Sequence, residues 1–317
     1  MEHFRDLALG QAPRILGLGD RQKGSATFGC FDRAYWHYRF LDFPNARFQE
    51  AVLLLALLWH ENFPGNIYFA NKKILEWADA AIHFWFKSRN RDGSVAEAYP
   101  FERSFCATCF TTFAITESLL LLDRRAPASL EITANWLARN NSPAVANQMA
   151  VAAIALDNCY RLTGVEQYRT AAQAKIETLL KSQDAAGYFP EYGGYDVGYS
   201  SITLSCLAHY QRKTRAANLL PAMQHAARFL EARVREDGTY SIEGTSRQTQ
   251  FLYPYGLVVL RSDVARRLTN GLRANRVISP AWLDDRYIIQ LTTDYLLAYL
   301  ELYHADDYRQ VDRVAVV

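Results

Sequence analysis

Three stretches of this chain end a helical run in the same way, and that recurrence constrains the fold more than any other feature. Arg91-Asp92-Gly93-Ser94 is followed by Glu97, Asp184-Ala185-Ala186-Gly187-Tyr188 by Glu191, and Glu236-Asp237-Gly238-Thr239-Tyr240 by Glu243. Glycine suits the left-handed residue that closes a helix, so capping accounts for the glycine. Capping does not require the glutamate that recurs after it. The glycines stand 94 and then 51 residues apart, the first gap nearly twice the second. Arg139-Asn140-Asn141-Ser142-Pro143 lies midway in the wide gap. The same step outward reaches Asp42-Phe43-Pro44-Asn45 and Trp282-Leu283-Asp284-Asp285. Six loops thus recur about every 48 residues, a step that two helices of ordinary length and two turns fill.

The segments between the loops carry helical periodicity. Ile74, Trp77, Ala78, Ala81, Ile82 and Trp85 fall on one helix face; so do Leu220, Met223, Ala227, Leu230 and Val234, and Ile288, Leu291, Tyr295, Ala298 and Leu302. Strand-like alternation is confined to loops such as residues 239–242, so the expected class is all-α. Six consecutive helical hairpins make an open solenoid or a closed ring. A solenoid needs polar capping repeats, whereas the last helix, expected over residues 287–303, is apolar on more than one face. The expectation is therefore a single-domain (α/α)6 toroid over residues 41–305, with residues 1–40 contributing to its rim and residues 306–317 as a tail. In that arrangement the six loops lead into inner helices whose N-termini, with their unpaired N–H groups, face one rim and favour a bound anion.

Composition narrows the function classes. Of 317 residues, half are apolar and 21% charged, enough for a large core and incompatible with a disordered chain. Lys+Arg 35 against Asp+Glu 33 leaves +2, with no basic run, so nucleic acid is not an expected partner. The longest clean apolar run, residues 51–59, is far short of the ~18 residues that a membrane span needs. The first nine residues carry Glu2 and Asp6 and no apolar stretch, so they do not read as a secretory signal. The cysteines Cys30, Cys106, Cys109, Cys159 and Cys206 form a sparse, odd set, read as structural thiols in a reduced, cytoplasmic setting. Cys106 and Cys109 have C-x-x-C spacing but no second pair or histidine cluster, and the helical histidines make no H-x-x-x-H pair, so no metal or cofactor is expected.

The loops are rich in aromatics, acids, arginine and amides. Tyr35, Trp36 and His37 lie near the first; Glu97, Glu102 and Arg103 near the second; Asn147 just after the third. The fourth holds Tyr188, Glu191, Tyr192, Asp196 and Tyr199, and the fifth Tyr240, Arg247, Gln250 and Tyr253. Such a mixture suits a cleft that stacks on sugar rings and hydrogen-bonds their hydroxyls. Glu102 reads instead as a first-turn acid stabilising its helix near Arg103.

Two chemistries fit. Proton abstraction beside a uronate carboxylate needs a base such as Tyr192, Tyr199 or Tyr253 and a cation or amide to hold the developing charge. Arg103 and Arg247 would contact the anion, with Tyr35, Trp36, His37, Asn147, Tyr188 and Gln250 as further substrate contacts. Glycoside hydrolysis would instead pair Glu97 with Glu191 or Asp196. The rim's positive potential tips the balance to an acidic oligo- or polysaccharide and to lyase or epimerase chemistry.

Over roughly residues 40–305 the pattern of hairpins and loops resembles the six-hairpin toroid superfamily of glycoside hydrolases, polysaccharide lyases and uronyl epimerases. The resemblance implies a carbohydrate-active enzyme, without a catalytic motif matched position by position; a non-catalytic toroid of polysaccharide biosynthesis that binds a glycan or a partner is the alternative reading. Gln183-Asp184-Ala185-Ala186-Gly187-Tyr188-Phe189 is similar to the Q-x-x-x-G-x-W/F repeat of triterpene cyclases. It occurs once, and the D-x-D-D acid motif is absent; Asp284-Asp285 and Asp306-Asp307 are simple pairs, the second placed beyond the last helix.

Overall fold

The structure is a computed structural model that describes the backbone of residues 2–314 and side chains as far as residue 305. Among the described residues the chain is all helix and loop, without a strand. In order the helices are α1 (Glu2–Leu18), α2 (Arg33–Trp36), α3 (Ala51–His60), α4 (Lys72–Ser88), α5 (Phe105–Leu121), α6 (Leu130–Arg139) and α7 (Ala146–Thr163). They continue with α8 (Glu166–Lys181), α9 (Val197–Thr214), α10 (Leu220–Glu231), α11 (Tyr255–Val259), α12 (Asp263–Arg273) and α13 (Tyr287–Val314). The all-α expectation holds, and each of the six recurring loops separates two helical elements.

Two kinds of helix alternate. In α3 every residue from Ala51 to Leu58 is buried, and α7 is buried from Ala146 to Cys159. By contrast α4, α6, α10 and α12 bury one face only: α4 covers Ile74, Ala78, Ala81, Ile82 and Trp85 and leaves its other side to solvent. Each fully buried leucine of α3 contributes about 1.5–3 kcal/mol relative to exposure, which is why a helix that is apolar from Ala51 to Trp59 stays folded in the interior.

The chain divides into two compact units. One comprises Ala12–Lys181 with Asp284–Gln290. In it α5 packs against α3 and α7, and α7 against α6 and α8. Helix α5 is buried despite its hydroxyls because they are satisfied within the helix. Thr108, Thr111, Thr112, Thr116 and Ser118 each donate to the carbonyl four residues back, at 2.6–2.7 Å. Lys175 of α8 is buried too; its ammonium donates to Asn140 O and Asn141 Oδ1, both at 2.6 Å, and burial pulls it down to about 8.

The other unit comprises the described residues of Met1–Gln11, Ser182–Leu283 and Leu291–Val317. Here α9 packs against α10 and α11, and α12 against both α10 and α11. Gly256 of α11 sits so close to α9 that a Cβ there would lie 2.6 Å from the Leu204 carbonyl. Phe4 of α1 meets Tyr295 edge-on at 5.3 Å.

One expectation changes, and the structure defines two segments that the loop pattern left open. Residues 2–18 form a regular helix that buries Phe4, Ala8, Ala12 and Ile15, and Gly17-Leu18 ends it. The last helix does not stop at residue 303 but continues to Val314, so Asp306-Asp307 lies within it; the side chains of residues 306–317 are outside the described residues. In the fifth hairpin, α11 has five residues only, following a long irregular segment.

Candidate functional site

The expected residues divide between the two units. In the unit built on α9, the fourth and fifth loops meet at the start of that helix. Glu191 and Gly194 exchange backbone hydrogen bonds at 2.8 and 3.3 Å, which makes a tight turn with Tyr192 at φ 54°. A tyrosine in the left-handed region costs of order 1–3 kcal/mol, so the surrounding contacts must hold it there. The turn sets the Tyr192 ring outward, 49% exposed.

Asp196 is the N-cap of α9 and has no exposed surface. Its Oδ1 accepts the N–H of Tyr199 at 2.9 Å, and its Oδ2 accepts the N–H groups of Arg247 at 3.2 Å and Thr249 at 3.1 Å. One carboxylate therefore caps a helix and fixes a loop about fifty residues away in the chain. Ser246 N–H donates to Tyr195 O at 2.9 Å and completes the clamp. Held in this way, the Arg247 guanidinium lies 4.5 Å from the ring centre of Tyr192 and 5.8 Å from that of Tyr199. The neighbouring Gln248 also has a positive φ, 54°.

The other expected residues of these loops have different surroundings. Glu191 is wholly buried and its Oε1 accepts the Thr203 hydroxyl at 3.0 Å. Tyr188 packs with Tyr195 and Phe229, ring centres 5.7 and 5.2 Å away. The Tyr253 N–H donates to Ser201 Oγ at 2.9 Å, and Gln250 is exposed. Tyr240 donates its hydroxyl to Thr249 O at 3.0 Å; burial, reinforced by Asp196, pushes this phenol up, so it stays neutral. The single Q-x-x-x-G match is structural here, since Gln183 Nε2 donates to Gly187 O and Ala222 O at 2.8 and 2.9 Å.

In the unit built on α3, α5 and α7, the expected residues are dispersed. Trp36 donates its indole N–H to Leu18 O at 2.8 Å, Tyr35 leans on Phe84 with ring centres 6.5 Å apart, and His37 is exposed. Arg103 is exposed and paired with Asp92 at 3.0 Å. Asn147, in the first turn of α7, is 3% exposed. Glu102 does not serve its own helix, whose N-cap is Ser104; its Oε2 accepts the N–H groups of Glu97 and Ala98 at 2.8 and 2.7 Å in the preceding loop.

Glu97 belongs to a cluster that the loop pattern did not indicate. Its carboxylate pairs with Arg286 and accepts the Ser104 hydroxyl at 3.3 Å. Beside it, Arg47 and Glu50 form an ion pair with both side chains about nine-tenths buried. Arg47 Nη1 also reaches Cys106 Sγ at 3.0 Å and lies 4.2 Å from the Phe110 ring centre, and Gln290 Nε2 donates to Glu50 at 3.1 Å. Burial opposes the charge on Arg47, but Glu50, Cys106 and Glu97 hold it well above its ordinary value. Burial likewise pushes the Cys106 thiol up, against the pull of Arg47, so it is not a ready nucleophile. The available signal was Arg47 and Glu50 standing three apart directly before the wholly apolar run 51–59, where a charge must find a partner. All five cysteines are free thiols.

No protein-family model matches the chain, and neither does a curated protein or a solved structure. No helix of the described residues is long and apolar enough to cross a membrane.

Proposed function

We propose that the chain is a carbohydrate-active enzyme that acts on a uronate-containing oligo- or polysaccharide by proton abstraction, with elimination favoured over epimerisation. The observation that carries this is Arg247 held by Asp196 across the rings of Tyr192 and Tyr199. A guanidinium can bind the sugar carboxylate and hold the charge that develops when the adjacent carbon loses its proton. In the elimination the tyrosine oxygen takes the C5 proton, the C4–O bond breaks, a C4–C5 double bond forms, and the departing oxygen takes up a proton. In epimerisation the C4–O bond stays intact and a proton returns to the opposite face of C5.

The carboxylate-pair alternative is less well supported, because Glu191 and Asp196 are wholly buried and Glu97 is paired with Arg286. The fold we infer for this activity is the (α/α)6 toroid. What supports it is six loops at a regular step and the alternation of buried with one-faced helices.

The test is incubation with polygalacturonate, alginate and hyaluronan, following both far-ultraviolet absorbance of the unsaturated product and new reducing ends. Absorbance rising in step with reducing ends is expected. Replacing Tyr199 or Tyr192 with Phe, or Arg247 with Ala, should show which group acts; loss of the proton-transfer residue costs about 10²–10⁴-fold. Reducing ends without absorbance would indicate hydrolysis, and binding without turnover a glycan-binding protein.

A further inference from the structure

A second feature lies among residues that the proposed activity does not use. The segment that joins α1 to α2 folds tightly around a buried acid, Asp20. Its carboxylate accepts Gln22 N at 3.0 Å and the Ser25 and Thr27 hydroxyls, each at 2.7 Å. Asp20 N–H donates to Cys30 O and Gly29 N–H to Asp20 O, at 2.8 and 2.9 Å, closing the base of the loop. The loop is then fastened to α4. Gly29, at φ 91°, lies so near the helix that a Cβ would fall 2.2 Å from Ala80 O. Gln49 Nε2 bridges Gly29 O and Ala81 O, both at 3.0 Å, and Lys87 Nζ donates to Ala26 O at 3.0 Å.

Between loop and helix there remains a cleft of about 330 Å³, lined by Gly24, Ser25, Ala26 and Phe28 on one side and Ala80, His83, Phe84 and Lys87 on the other. Two phenyl rings make its apolar wall. Lys87 and His83, one turn apart on α4, stand at its polar side, and among the described residues neither is paired with a carboxylate. The acids nearby are engaged elsewhere: Asp20 within the loop, Glu76 with Lys23 at 3.0 Å and Asp79 with Arg124 at 3.0 Å. Rigid walls lower the ordering cost of binding, and the volume is at the small end for ligand pockets.

The geometry points to this cleft as a binding site for a small aromatic monoanion, its ring between Phe28 and Phe84 and its anionic group on Lys87. Titration of the full chain with phenylacetate, followed by amide chemical shifts, tests the assignment. Saturable shifts in residues 24–28 and 80–87 are expected, with phenylacetamide and acetate each binding at least about tenfold more weakly. Lys87→Gln, at an exposed position, should lower phenylacetate affinity about tenfold, the worth of one charge-assisted hydrogen bond. Equal binding of phenylacetamide, unchanged affinity in K87Q, or an absence of shifts in these two segments would each overturn the assignment. The result is independent of whether uronates are turned over.

Discussion

The guanidinium of Arg247 lies over the ring of Tyr192 while the backbone N–H of the same arginine is held by Asp196, 3.2 Å away. The side chain that meets solvent and the carboxylate that has none are thus joined through one residue. Replacing Asp196 with Ala removes the acceptor of three N–H groups, one of them buried, and the cap of α9. The expected loss is about 3 kcal/mol in urea unfolding, together with disordering of Arg247 and loss of any uronate turnover. Stability unchanged within about 0.5 kcal/mol would mean that Asp196 does not hold the loops.

The Arg47–Glu50 pair gives a second expectation. Glu50→Ala leaves Arg47 charged and buried and should cost about 3–5 kcal/mol. Replacing both with apolar residues, Arg47→Met with Glu50→Leu, should recover most of that loss. A double variant no more stable than E50A would show that the pair is needed for more than mutual neutralisation.

A third concerns pH. Burial pushes the Asp294 carboxyl up from its ordinary 3.8 to about 7, although it accepts the Tyr255 N–H at 2.9 Å and bonds Ser205. Below about pH 4 folded and unfolded chains both hold the proton, and the contribution to stability is fully present. Between about pH 4 and 7 only the folded chain keeps it, so stability falls as pH rises through that window. Unfolding midpoints across this range should slope downward in the native protein and flatten in Asp294→Asn. An equal slope in both would remove Asp294 as the source.

A fourth tests packing between α9 and α11. Gly256→Ala places a methyl group 2.6 Å from the Leu204 carbonyl and should cost about 1–3 kcal/mol, read as a lower thermal midpoint. An unaltered midpoint would mean that the two helices separate at no cost.

Much of this was legible in the sequence. Periodicity in α4, α10 and α13 marks their buried faces, and the glycine loops mark where helices end. The fully buried α3 is legible as an apolar run. The side chains of the fourth and fifth loops were legible in composition but not in partnership. Tyr192, Tyr199 and Arg247 were all singled out, yet no spacing rule shows that a carboxylate at position 196 will fix a loop at positions 247 and 249. Arg47 and Glu50 look like an ordinary surface pair until α5 and Gln290 cover them. Glu102 looks like a first-turn acid because a sequence does not show whether such a side chain turns toward its own helix or back to the loop before it.

The shared acceptor at Asp196 has a consequence for motion. Neither the 184–196 segment nor the 246–249 segment can peel away without breaking bonds that the other also uses. The amides of Tyr199, Arg247 and Thr249 are therefore expected to exchange with deuterated solvent as one cooperative block rather than as two separate loops.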